Sequence, residues 1–139
     1  MASELKVDKF TGVTTAGSIL VTGEGGSTAT NLQQGLSKCW VRWNMSGTAA
    51  NNDSLGVSSI TDTGTGTCTQ NLTNAFNNTN FNIVTGIGEL SGGGNRGIGV
   101  NNAPTTTTTN FFSFSFPSSG GTSANDVDLQ CAAWQVDLA

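Results

Sequence analysis

One stretch decides the fold, residues 37–45, which read SKCWVRWNM. It combines the densest large side chains of the chain with a strict alternation. Successive side chains of a β-strand point to opposite faces of a sheet, so the alternation predicts a strand with one buried face. The face that we expect in the core carries Cys39, Val41, Trp43 and Met45. The opposite face, which meets solvent or a partner, carries Lys38, Trp40, Arg42 and Asn44.

The composition around this stretch indicates a β-rich protein with a thin core. The chain has 139 residues, the length of one domain. Only 10% of the residues are charged, against a norm of about 25%, and Thr, Asn, Ser and Gly take their place. Thr suits a pleated surface, and a net charge of only −4 does not suggest disorder. With 35% hydrophobic residues, oligomerisation is favoured, because partner chains can bury what one chain leaves exposed.

The same composition argues against catalysis and nucleic-acid binding. The chain has no His, so it lacks a Ser-His-Asp triad and an ordinary general base near neutral pH. Its five Lys and Arg residues are too few for a basic patch. The Gly-rich run 86–99 lacks the lysine of a phosphate-binding loop, and the scattered acidic residues lack a calcium-binding spacing. We therefore expect no enzyme activity, no cofactor, no metal and no nucleic-acid partner.

The three cysteines are Cys39, Cys68 and Cys131, which are widely spaced and form no C-x-x-C pair. A zinc site or a redox motif is therefore not expected. Buried free thiols that act as small hydrophobic side chains are the favoured interpretation. One disulfide between two of the three, with one thiol left over, is the open alternative.

The N-terminal residues and the length of the apolar runs indicate whether the chain is secreted or inserted into a membrane. Residues 1–10, MASELKVDKF, lack the apolar core of a secretory signal. No stretch approaches the roughly 20 apolar residues of a membrane span. We therefore expect a chain that is made in a cytoplasm, is not secreted by the standard route and does not insert into a membrane.

Residues 1–36 are predicted to form an extended arm. Two short polar strands, near 4–10 and 18–22, are joined by Gly-rich turns and have too few large apolar side chains to fold alone. The arm either packs on its own domain or intertwines with sister chains or a larger assembly, and the sequence favours neither. In the second case its apolar side chains are candidate subunit-interface residues: Leu5, Val7, Ile19 and Val21.

Residues 37–139 are predicted to form the folded domain. After the first strand we expect a loop at 46–54 and a hairpin at 55–72 that turns at 62–66. Further strands are predicted at 81–88, 96–100, 110–116 and 127–138. In the strand at 110–116 we expect Phe112, Phe114 and Phe116 in the core. Short strands at regular spacing, without long helices, predict an all-β, antiparallel β-sandwich or jelly-roll-like domain.

Two tryptophans are predicted on faces away from the core. Trp40 lies between Lys38 and Arg42, and Trp134 lies on the second face of the last strand. Three interpretations are open for Trp40: a subunit interface, a cation–π stack with its neighbours, or a platform on which a sugar stacks. We favour the interface first, the local stack second and the sugar third. Trp134 adds support to the interface.

Several segments resemble small virion appendage proteins of marine bacteriophages, which are short tail-fibre-like or capsid-surface proteins. The segments are LKVDKFTGVTTAGSILVTGEG, TATNLQQGLSKCWVRWN and DSLGVSSITDTGTGTCTQNLTNAFNNTNF, with the ending DLA. The resemblance covers residues 3–83 and the end of the chain.

This resemblance implies a homotrimeric structural protein of the virion, assembled in the host cytoplasm. It implies that the N-terminal arm attaches the protein to other virion proteins, as a capsid decoration protein or a short fibre. Outward loops at 89–95, 101–109 and 117–125 would then face the host, with host-surface glycans as a further candidate partner. The alternative function is a monomeric carbohydrate-binding β-sandwich module that uses Trp40 and Trp134.

Overall fold

The structure, a computed structural model, describes residues 5–12, 19–22, 26, 29–32, 36–88, 95–116 and 120–135. Over these ranges the chain is all-β, and its strands pair in the antiparallel sense. The strands are β1 (Leu20–Thr22), β2 (Ala29–Asn31), β3 (Cys39–Asn44), β4 (Ala50–Leu55), β5 (Val57–Gly64), β6 (Thr67–Leu72), β7 (Asn82–Gly88), β8 (Arg96–Val100), β9 (Thr108–Ser115), β10 (Ser123–Ala124) and β11 (Leu129–Gln135).

The four-stranded sheet has the order β4-β3-β11-β7. Its strand β3 lies in the alternating stretch 37–45, and the prediction of its buried face is confirmed. Cys39, Val41, Trp43 and Met45 are each at most 2% exposed. Because the alternation puts its large apolar side chains in one row, β3 gives one whole face to the core.

The five-stranded sheet has the order β10-β9-β6-β5, and β8 pairs with β9. Its β5–β6 hairpin confirms the one predicted at 55–72. The four later strand predictions are also confirmed, with shifts at their ends, as Asn82–Gly88, Arg96–Val100, Thr108–Ser115 and Leu129–Gln135. A third, two-stranded sheet pairs β1 with β2.

One aromatic cluster joins the two larger sheets. Phe111 of β9 packs against Trp43 of β3 with ring centroids 5.1 Å apart, and against Trp134 of β11 with centroids 5.8 Å apart. Trp134 also donates its Nε1 hydrogen to Thr109 Oγ1 at 3.1 Å. The two sheets therefore share one buried core.

The prediction that Trp134 lies on an outer face is wrong, because its side chain is 0% exposed in the core. The inward residues of β11 are Gln130, Ala132 and Trp134, whereas Cys131 is exposed. A buried indole needs a partner for its N–H group, and Thr109 of the facing sheet supplies it. Trp134 cannot therefore contact a partner chain in this fold.

The prediction that Phe112, Phe114 and Phe116 lie in the core is also wrong. Phe111 is buried at 1% exposure, and the other three point to the outer face of the five-stranded sheet. Ser113 shares the inward face of β9 with Phe111, and its Oγ donates to the Asn125 carbonyl at 2.7 Å. The inward face is polar at this end because it meets backbone groups of the segment that precedes β11.

Two further expectations about strands are corrected. Residues 46–54 were expected to form a loop, but Ala50–Leu55 is strand β4, which pairs with the edge of β3 through a bulge between Arg42 and Trp43. Its pairing depends on backbone hydrogen bonds rather than on an apolar pattern, so composition gives no sign of it. The segment 4–10, expected as a short strand or an extended segment, has no strand in its described part, residues 5–10.

The turn of the β5–β6 hairpin docks against the rest of its sheet. Gly66 donates its N–H to Asp126 Oδ1 at 2.6 Å, and its carbonyl accepts the N–H of Ser113 at 2.7 Å. A side chain at Gly66 would place Cβ 2.5 Å from the Ser113 oxygen and 2.7 Å from the Asn125 nitrogen. Only glycine therefore fits at this contact.

We expect Gly66→Ala to lower the free energy of unfolding by about 2 kcal/mol more than Gly47→Ala. The two glycines have similar positive φ angles, +71° and +78°, so both variants carry the same left-handed strain, about 1 kcal/mol. Only the Gly66 variant also meets backbone atoms, because no atom lies within 4 Å of a Cβ at Gly47. Urea unfolding measures the difference, and equal losses would contradict the docking of the turn.

Candidate functional site

The outer face of the four-stranded sheet carries Trp40, one of the predicted interface residues. In the register of the sheet, Trp40 lies opposite Leu55 of β4 on one side and opposite Ala133 of β11 on the other. Ala133 in turn lies opposite Val84 of β7. One row of four apolar side chains therefore crosses all four strands, and we call it the apolar row: Leu55, Trp40, Ala133 and Val84.

The apolar row is accessible in the single chain. Leu55 is 53% exposed, Val84 is 56% exposed and Trp40 is 36% exposed. Directly opposite side chains in antiparallel strands lie about 5 Å apart at Cβ, so neighbours in the row are within contact reach. A contiguous apolar strip of this kind on a sheet face is typical of an interaction surface.

Polar rows flank the apolar row on both sides. On one side Arg42 lies opposite Asp53 and Cys131. On the other side Asn82 Nδ2 donates to Gln135 Oε1 at 3.2 Å. An apolar centre with a polar rim is the usual anatomy of a protein–protein interface.

The remaining predicted interface residues lie in the N-terminal segment and not in the apolar row. Leu5 is 74% exposed, Val7 is 46% exposed and Val21 is 50% exposed, whereas Ile19 is partly buried. Val21 lies in β1, and the Ile19 carbonyl accepts the N–H of Leu32 at 2.9 Å.

A second site, which the sequence did not predict, lies on the outer face of the five-stranded sheet. Phe112 and Phe114 stack there with ring centroids 5.2 Å apart and planes 20° apart, and Phe116 meets Phe114 edge-on at 5.0 Å. The far end of the Phe112 ring lies over β8, where a Cβ at Gly99 would be 2.6 Å from its Cε1 atom. The Phe114 ring covers Gly97 in the same way.

A sequence signal for this arrangement exists in β8, which reads RGIGV. Its two glycines are two residues apart, so both face the same side of the sheet, next to the alternating phenylalanines of β9. Aromatic side chains that cover glycines of a neighbouring strand are a known way to stabilise an edge strand. The spacing of the two glycines indicates an aromatic cover only once β8 is known to pair with β9.

A groove lies beside the stacked rings. It has a volume of about 350 Å³ and is lined by residues that include Thr67, Asn101, Phe112, Phe114, Thr122 and Ala124. The backbone N–H of Asn101 donates to the Asn110 carbonyl at 2.8 Å, which fixes one end of the groove. The predicted loop 101–109 thus contributes Asn101, and the predicted loop 117–125 contributes Thr122 and Ala124, of which Ala124 lies in strand β10. Residues 89–94 and 117–119 lie outside the described residues.

Three carboxylates in the described part of the chain accept backbone N–H groups, one within strand β4 and two at the β5–β6 turn. Asp53, Asp62 and Asp126 each accept a backbone N–H, from Ser54, Gly64 and Gly66 respectively. Among the residues that the structure describes, no group of three or more His, Cys, Asp or Glu side chains could hold a metal ion. The described helical residues likewise include no helix that is long and apolar enough to cross a membrane.

All three cysteines are free thiols. Cys39 and Cys68 are buried, and burial raises the pKa of each thiol to about 12. Cys131 is exposed on the outer face of β11, beside the apolar row. The interpretation of buried free thiols is therefore confirmed for two of the three cysteines.

Comparison with protein-family models, with curated proteins and with solved structures finds no match for this chain.

Only Cys131 is expected to react quickly with a thiol reagent near pH 8 in the dilute native protein. A thiol with a pKa of about 12 has roughly one thiolate in ten thousand at that pH, so Cys39 and Cys68 should react only on unfolding. Mass spectrometry of the labelled protein should give one adduct before and three after denaturation. Cys131→Ser should abolish the native adduct, and fast labelling of Cys39 or Cys68 would contradict the burial of β3 and β6.

Proposed function

We propose that the chain is a non-enzymatic structural protein of a bacteriophage virion. In this proposal it is a β-sandwich with an N-terminal arm, residues 1–36, and forms a homotrimeric surface appendage. The appendage is a capsid decoration protein or a short fibre that the arm joins to other virion proteins. The observation that carries the proposal is the apolar surface that the single chain leaves exposed in its N-terminal segment.

Five large apolar side chains between residues 5 and 21 are 46% to 74% exposed: Leu5, Val7, Phe10, Leu20 and Val21. Burying such a side chain contributes about 1.5–3 kcal/mol. A segment that leaves so many exposed is strongly stabilised when another surface covers them. Sister chains and neighbouring virion proteins are the covering surfaces in this proposal.

The β1–β2 pair supports the same role for the arm. The two strands pair over three residues each, and all three β1 side chains are exposed. A two-stranded hairpin is marginally stable at best in water on its own. The pair therefore needs a surface to pack on.

The apolar row offers such a surface on the domain. It lies on the outer face of a sheet and has polar neighbours that would form the rim of an interface. Apolar arm residues of one chain and the apolar row of another are complementary in chemistry. A homotrimer in which each arm lies on the next domain buries both.

Two observations support a structural role over a catalytic one. The carboxylates of Asp53, Asp62 and Asp126 are engaged with backbone N–H groups. The chain also has no His to serve as a general base. The resemblance of residues 3–83 to virion appendage proteins is the reason why we propose the virion as the place of this structural role.

The full chain is expected to have a solution mass of three chains in light scattering. Changing Leu5 and Phe10 together to Ser should shift the mass toward one chain, because the arm loses its apolar contacts. Lys9→Ser, in the same exposed segment, is the matched control and should leave the mass unchanged. A monomer at all concentrations, or a trimer that ignores the Leu5 and Phe10 changes, would contradict the arm-joined assembly.

The virion setting has a separate test. An antibody against the full chain should label bacteriophage particles in electron micrographs, and the position of the label distinguishes capsid from tail. Particles that contain no copy of the chain would reject the virion role even if the protein is a trimer. A monomer absent from particles would favour the carbohydrate-binding module.

A further inference from the structure

We propose that the groove beside Phe112 and Phe114 binds an uncharged glycan. A sugar ring would stack on the aromatic pair, and its hydroxyl groups would bond to the amide and hydroxyl side chains beside it. This inference does not rest on the proposed assembly, because all the groups that it uses come from one chain.

The aromatic pair is rigid before any ligand arrives. Each ring leans over a glycine of β8, at Gly97 and Gly99, and the two rings stack on one another. A platform that is already ordered loses little conformational entropy on binding. The electron-rich face of an aromatic ring attracts polarised C–H groups, which one side of a sugar ring presents.

The groove has the size and lining of a small-ligand site. Its volume of about 350 Å³ lies within the roughly 300–1,000 Å³ usual for such sites. Thr67, Asn101 and Thr122, whose side chains carry hydroxyl and amide groups, line the groove together with the rings. A few polar groups at the edge of an apolar surface orient a ligand and supply specificity.

Uncharged polar groups continue from the groove across the sheet. Along the outer face of β6, Thr67 is followed at alternate positions by Thr69 and Asn71. Thr69 Oγ1 donates to the Asn110 side-chain oxygen at 2.6 Å. Asn71 Nδ2 lies 3.1 Å from Ser59 Oγ and 3.2 Å from Thr61 Oγ1. These bonds hold a ladder of amides and hydroxyls in place beside the groove.

The chemistry of this face selects the ligand. Among the described residues that line the groove or form the ladder, none is charged. An anionic ligand would lose its hydration without gaining a counter-charge. An apolar peptide would cover the amides and hydroxyls without satisfying them. A neutral sugar, with its C–H face and its many hydroxyl groups, suits both the rings and the ladder.

The test is a titration of the ¹⁵N-labelled full chain with neutral gluco-, galacto-, manno- and N-acetylglucosamine oligosaccharides. We expect at least one of them to shift the amide signals of β9 and β10 and of residues 101–102. Phe114→Ala should weaken binding about tenfold, as expected for the loss of one aromatic contact. Thr122→Trp should block binding by filling the groove while both rings remain in place.

Thr48→Ala is the control, because it changes an exposed side chain outside both the groove and the apolar row and should leave the affinity unchanged. Thr122→Trp decides the matter if Phe114→Ala does not fold. No shift with any neutral oligosaccharide would overturn the inference. Tighter, salt-sensitive binding of sialylated or uronic-acid oligosaccharides would also overturn it.

A dependence of the solution mass on Thr122→Trp would overturn the glycan site in favour of a contact between chains. A monomer that binds a neutral glycan in the groove would reject the homotrimer and keep this site. A trimer that binds no neutral glycan would reject the glycan site and keep the homotrimer.

Discussion

The contact of Phe111 with Trp43 and Trp134 is the interaction on which the fold depends. Only 35% of the residues are hydrophobic, so few large side chains are available for a core. Three of the largest meet at one point between the two sheets. The remaining core residues are small or medium in size, including Cys39, Cys68 and Ala132. Removing the central ring would leave a cavity that these small side chains cannot fill.

The outer faces of the two sheets differ in chemistry. Strands that give only half of their residues to a thin core present the other half to their surroundings. On the four-stranded sheet those residues form the apolar row between polar rims. On the five-stranded sheet they form a stacked aromatic pair beside amides and hydroxyls. The first face suits a protein partner and the second suits a neutral sugar.

The parts of the fold that the sequence predicted are those in which local signals agree. In β3 the alternation and the side-chain size favour the same face, and the hairpin has unambiguous turn residues at 62–66. In β9 the two signals conflict, because aromatic residues occupy both faces. There the choice depends on partners distant in sequence: Ser113 bonds to Asn125, and Gly97 and Gly99 receive the outer rings.

Neither candidate site could be predicted in full for the same reason. Trp40 was identified because its own strand alternates, but its neighbours Leu55 and Val84 join it only through the register of four strands. Trp134 was placed wrongly because nothing near it in sequence indicates that Thr109 would accept its N–H. The groove combines residues of β6, β9 and β10 whose positions depend on long-range pairing.

Native-state hydrogen exchange on wild type and Phe111→Leu tests most directly whether one aromatic contact holds both sheets together. The account predicts that the slowest amides of β3, β6, β9 and β11 exchange with one common free energy of opening. It predicts that the variant lowers that free energy equally in both sheets, by about 1–2 kcal/mol. A loss confined to β6 and β9, with β3 and β11 unchanged, would show that the sheets are stabilised separately and would contradict the account.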